Sequence, residues 1–203
     1  MSAPSFRTFH ALRIKGFASV ETVAEIAEVS VDEAHGYLGE LLSRDLAVFN
    51  EARRLWRLTP AGRDLHSVEL ASDAHSFGGA DCLANDYRTF LLLNERFKQA
   101  CGDWQLRDGQ PNDHSDAAYD AAAVATLVAI NAEAQPIVSS FGTAYPRFLQ
   151  YSRRLDETCQ KLVQGETKMF TGVMCGSYHD VWMELHEDLI LTQGIDRSAE
   201  GSF

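Results

Sequence analysis

Three histidines carry most of the chemistry this chain could perform. His179 and His186 lie in the run SYHDVWMELHEDL, seven residues apart. On a helix at about 100° per residue they share one face with Trp182, Met183 and Ile190. Asp180, Glu184, Glu187 and Asp188 fall on the other side as an acidic stripe. Imidazole titrates near pH ~6.5 and a neighbouring carboxylate fixes its tautomer, so this grouping could act as a general base. The third, His114, belongs to DWQLRDGQPNDHSD, residues 103–116, together with Trp104, Arg107, Asn112 and Asp113. This segment is expected to be one irregular connection of the kind that often carries function. Its Asn, Asp and Ser are also the residue types that merely make turns and caps.

Other chemistries find less support. Metal binding is not expected: there is no HExxH, no ExxH and no Cys/His cluster. Two histidines seven apart on a helix are separated by about 10 Å along its axis, too far for one ion. The stretch SFGGADC matches neither GxxxxGK[ST] nor GxGxxG, so no nucleotide loop is expected. Cys82, Cys101, Cys159 and Cys175 stand singly, as reduced thiols in a cytosol would.

The elements that must position these residues can be read from caps and periodicity. Phe6, Phe9, Leu12 and Ile14 space a first helix that stops at Gly16. Ser19 caps a second, and the capping box Ser30–Glu33 opens a third through Ala34, Leu38, Leu41 and Leu42. Leu46–Phe49 and Leu55–Leu58 flank the polar turn Asn50–Arg54 as a two-stranded wing. Thr59-Pro60 then starts a fourth helix. Beyond SFGGA, the likeliest hinge, four helices are expected over residues 85–100, 116–139, 146–163 and 177–192. The predicted fold class is mainly α, a winged helix-turn-helix over 1–75 followed by a bundle-like all-α domain over 81–203.

The chain has 203 residues, 45% apolar and 23% charged, an ordinary globular composition. It has no run of eighteen apolar residues and no secretory pattern at Met1–Phe6, so a soluble, cytoplasmic protein without membrane association is expected. Residues 1–66 hold eight Lys/Arg against nine Asp/Glu, and residues 67–203 hold ten against twenty. Such acidity suits a polyanion poorly. The front of the third helix, where a DNA reader offers Arg, Lys, Asn or Gln, offers Asp32, Glu33 and His35. Only the wing, with Arg53, Arg54 and Arg57, favours DNA.

The order helix, helix, helix, hairpin, helix, with the phrase RRLWRLTPAGRDL, resembles the winged-helix domain of MarR-type regulators. Over most of the chain, LRIKGFAS, LTPAGRDLH, FLLLNERFKQACGDWQLRD, PNDHSDAAYD and SYHDVWMELHEDL resemble a module associated with phosphoenolpyruvate-synthase-like dikinases. They are also similar to the small subunit of hydroxyacetophenone phosphotransferases. That resemblance implies an acceptor-binding subunit that holds no cofactor itself. A large ATP-grasp partner would supply ATP, Mg and a phosphohistidine, and the substrate would be a small aromatic compound such as 4-hydroxyacetophenone. His186 or His179 would then be the base toward the acceptor hydroxyl, with His114 and Arg107 orienting the acceptor or steadying phosphoryl charge. Trp104, Tyr119, Tyr178 and Trp182 would wall the ring, with Asn112 also at the substrate. Asp113, Glu187 and Asp188 would hold an imidazole. The rival expectation is a MarR-type, ligand-responsive transcriptional regulator; a scaffold without chemistry is a third.

Overall fold

Local signals set the first elements. α1 (Pro4–Lys15) begins on a proline and ends at Gly16, whose φ of 72° few other residues adopt cheaply. α2 (Val20–Ala27) is capped by Ser19, and α3 (Val31–Ser43) by the reciprocal Ser30–Glu33 box. β1 (Ala47–Asn50) and β2 (Leu55–Leu58) pair antiparallel, Phe49 opposite Trp56, and Trp56 also bridges to Ala18. α4 (Pro60–Ser76) is capped by the Thr59 hydroxyl. Gly62 in its first turn is forced by packing: a Cβ there would stand 2.0 Å from the Leu46 carbonyl oxygen. Phe9, Leu12, Val23, Ile26, Leu38, Leu41, Trp56 and Leu58 close one apolar core beneath these elements.

Four more helices follow: α5 (Ala84–Gln105), α6 (Ala117–Ala144), α7 (Leu149–Val163) and α8 (Tyr178–Gln193). Leu127, Ile130, Ala134, Val138 and Phe141 form the buried stripe of α6, at the spacing a core helix needs. Among the described residues α6 is the one helix with the length and composition of a membrane span. Trp182 of α8 sits between Phe90 and Phe97 of α5, with ring centroids 4.9 Å away on each side. Its indole N–H donates to Asn94 Oδ1 at 2.9 Å.

The computed structural model describes residues 2–196, and the chain separates into two compact units. One takes the residues up to Asp81 together with Tyr145–Arg147 and the residues from Glu187 onward. The other takes Cys82–Ala144 and Phe148–His186. The sequence had assigned everything after 81 to the second domain. The end of α8 groups otherwise because its charged residues serve the first unit: Glu187 pairs with Arg13 at 3.1 Å, and Asp188 faces His10 at 3.0 Å.

The loop, expected to be irregular, is built from standard turns. β3 (Leu106–Arg107) and β4 (Gln110–Pro111) form a minimal hairpin. Asp108 and Gly109, both with positive φ, make the two-residue connection that Asp-Gly favours. Asn112 then accepts from the His114 amide, Asp113 from the Ser115 amide, and Asp116 from the Ala118 and Tyr119 amides at the start of α6.

Candidate functional site

The loop between α5 and α6 holds an ordered histidine–carboxylate pair. His114 has a φ of 57°, a left-handed conformation that costs a non-glycine residue about 1 kcal/mol or more. That backbone turns its ring onto Trp104, 4.5 Å between centroids, and Trp104 in turn lies 4.8 Å from Phe170. Nδ1 of His114 is 3.0 Å from Asp120 Oδ2, one turn into α6. Asn112 braces the carboxylate by donating from Nδ2 to Asp120 Oδ1 at 2.9 Å and to the Trp104 carbonyl at 3.1 Å.

These contacts select a tautomer. A carboxylate can only accept, so the hydrogen bond to Asp120 Oδ2 places a proton on Nδ1, which Asn112 Nδ2 also approaches at 3.3 Å. Nε2 is left with its lone pair and has no hydrogen-bond partner among the described residues. The His114 side chain is 41% exposed whereas Asp120 is 18% exposed, so the imidazole is open to solvent on part of its surface while its orienting carboxylate is mostly covered. An imidazole held this way over an indole face can take a proton from a bound hydroxyl.

Arg107 and Tyr119 lie beside the pair, engaged with each other. The guanidinium stands 5.0 Å over the Tyr119 ring and pairs with Asp116 at 2.9 Å. The Tyr119 hydroxyl donates to the main-chain oxygens of Asp103 and Leu106. Arg107 holds Asp116 below its usual range, after the larger effect of the Tyr119 amide bond; burial opposes both. Asp113 is drawn down by Ser115 and holds no imidazole.

On α8 the histidines part ways. His186 is 1% exposed, with Nε2 3.2 Å from the Tyr87 hydroxyl and its ring against Phe90. Tyr178 and Trp182 are fully buried, and burial, the largest effect, raises the Tyr178 phenol well above its ordinary value. The three are core residues in this structure, and no acceptor could reach them without displacing neighbours. His179 is half-buried in the first turn; its amide bonds the Phe170 carbonyl, and its Nδ1 is buried without a partner among the described residues.

The acidic stripe expected on α8 is in part interior. Glu184 and Asp188 are both buried, and each takes a cation from far along the chain: Arg154 at 2.7 Å from Glu184, Arg147 at 3.4 Å from Asp188. Unpaired, either charge would cost several kcal/mol in a dry interior. Asp180 accepts from the Cys175 and Gly176 amides, ahead of the helix. Asp188 does hold an imidazole, that of His10.

A second titratable cluster was invisible to sequence reasoning. His10 Nδ1 lies 3.0 Å from His66 Nε2, both buried, and His10 Nε2 faces Asp188 Oδ1. Arg147 spans Asp188 and Asp73. Burial, with the neighbouring His10 and Arg13 charges, pushes the His66 pKa down to about 3. Burial raises the Asp188 carboxyl, but His10 and Arg147 together pull it below its ordinary range. The only sequence signal was two histidines on apolar helix faces, which marks core positions far more often than sites. The cluster is sealed and reads as structural.

None of the four cysteines is joined in a disulfide, and burial pushes the Cys101 thiol up to about 12. Among the described residues no group of three or more His, Cys, Asp or Glu is placed to hold a metal ion. No protein-family model, no curated protein and no solved structure matches this chain.

Proposed function

We propose that the chain is the acceptor-binding subunit of a dikinase-type phosphotransferase acting on the hydroxyl of a small aromatic compound, with His114 as the base. The observation that carries this reading is the Asp120–His114 pair, whose part-exposed imidazole packs on Trp104. As the hydroxyl oxygen attacks phosphorus, its proton passes to Nε2; the bond from phosphorus to the phosphohistidine of a larger partner breaks, and the aryl phosphate leaves. Trp104 and Phe170 are themselves buried, so they back the His114 ring from the core side and do not wall a slot for the acceptor. Arg107 would steady the incoming charge only by giving up Asp116. His179, next to Phe170 in the chain of contacts, is the second candidate at the acceptor. The helix, hairpin and helix pattern of the first unit supports a winged-helix arrangement, and the protein is proposed to be cytoplasmic, with ATP and Mg confined to the partner.

His114→Asn tests the role, because asparagine tolerates a left-handed backbone and can still donate to Asp120. With the partner present, kcat for 4-hydroxyacetophenone phosphorylation should fall on the order of 10²-fold or more, with KM changed little. An unchanged kcat removes His114 from the reaction.

The regulator reading has one favourable observation, the exposed Arg53, Arg54 and Arg57 of the wing. Against it, Asp32 and Glu33 stand exposed at the start of α3, and Glu33 is held ionised by the Ser30 cap.

A further inference from the structure

We propose that the groove between α3 and the β1–β2 hairpin is a protein-docking site for a basic, amphipathic segment of a partner chain. The groove encloses about 570 Å³, enough for two or three side chains. Val20, Leu42, Phe49 and Trp56 supply its apolar lining. Leu42 and Phe49 are 44% and 38% exposed, a poor use of large apolar side chains unless something covers them.

The glycines of α3 point the same way. Gly36 and Gly39 stand in the interior of the helix, where glycine weakens it. No neighbour forbids a side chain, since a Cβ at either meets nothing within 4 Å. Their φ values are not in the left-handed region, so the backbone does not demand them either. Gly39 lines the groove on the same face as His35 and Leu42. A bare backbone there lets another chain approach closely, which the fold itself does not use.

Charge identifies the occupant. Between residues 19 and 58, which form both walls, eight exposed carboxylates (six of them up to Glu40 on α2, α3 and their junction) stand against four exposed arginines, Arg44, Arg53, Arg54 and Arg57. Glu21 and Glu51 stand at the groove itself, and Arg54, which also lines it, is already attracted to Glu21. A cationic segment with leucine-like residues on one face satisfies both the lining and the field. A nucleic-acid strand would meet carboxylates along α3.

The test uses the whole chain and three fluorescein-labelled probes: an 18-residue Leu/Lys helix, its scrambled isomer, and a random-sequence DNA duplex, read by anisotropy. The amphipathic peptide should bind saturably, at least tenfold more tightly than the scramble, and DNA should neither bind comparably nor compete. Leu42→Ala and Gly39→Gln leave net charge unchanged and lie on the surface; each should weaken the peptide at least fivefold. Equal binding of peptide and scramble, or full binding to both variants, would reduce the effect to general surface charge and overturn the proposal. Preferential binding of the duplex would overturn it in favour of DNA. The outcome is independent of whether His114 is a base.

Discussion

Acidification should destabilise this protein through His66 before its carboxylates protonate. In the unfolded chain an imidazole takes its proton near pH 6.5, whereas buried His66 does so only near 3. Between those values the unfolded state binds more protons, so stability is lost as pH falls, by up to about 1.4 kcal/mol per pH unit. At pH 7.5 the penalty is nearly absent; at pH 5 it amounts to about 2 kcal/mol. For a chain of this size that corresponds to roughly 4–8 °C in Tm. Asp188 works in the same direction but in a lower window, because its contribution is held above its ordinary value of 3.8 and lost only below it. The assay is thermal or urea unfolding at pH 7.5 and 5.0 for the wild type and His66→Gln, whose amide oxygen can still accept from His10 Nδ1. The variant should lose about 2 kcal/mol less than the wild type over that interval, whatever its baseline stability. If both lose the same amount, His66 is not held neutral by burial and the reasoning fails.

Two further changes separate core from surface. Trp182→Ala removes the ring held between Phe90 and Phe97 and strands Asn94 Oδ1; it should cost about 3–5 kcal/mol in urea unfolding, and a cost under about 1 kcal/mol would deny Trp182 its place in the core. Gly39→Ala has open space for its methyl and should stabilise the fold by about 0.5–1 kcal/mol, visible as a rise in Tm; a fall would mean that α3 needs the glycine for its own packing.

Sequence and structure agree where the governing interactions are local. Ser19, Ser30 and Thr59 each cap a helix through an amide three residues on, a pattern visible without any fold. The four helices of the second half follow from their apolar spacing. The His114–Asp120 pair was half legible: His114 stood out, but its partner lies beyond a turn whose Asp108-Gly109 signature was passed over as irregular loop. Periodicity groups the α8 carboxylates into one stripe but says nothing of their depth or partners: Arg154 and Arg147, thirty and forty-one residues away, hold Glu184 and Asp188 in the interior. His10 and His66 are fifty-six residues apart, and nothing short of the fold brings them together.

The central claim, an acceptor-binding subunit working with a separate phosphoryl donor, is tested most directly by recovering the tagged chain from its own host. The eluate is assayed for ATP-dependent phosphorylation of 4-hydroxyacetophenone, with the His114→Asn chain recovered in parallel. A large ATP-grasp partner is expected in both eluates, and aryl phosphate only in the one from the wild-type chain. A chain recovered without such a partner and without phosphorylation, or equal rates from the two chains, would contradict it.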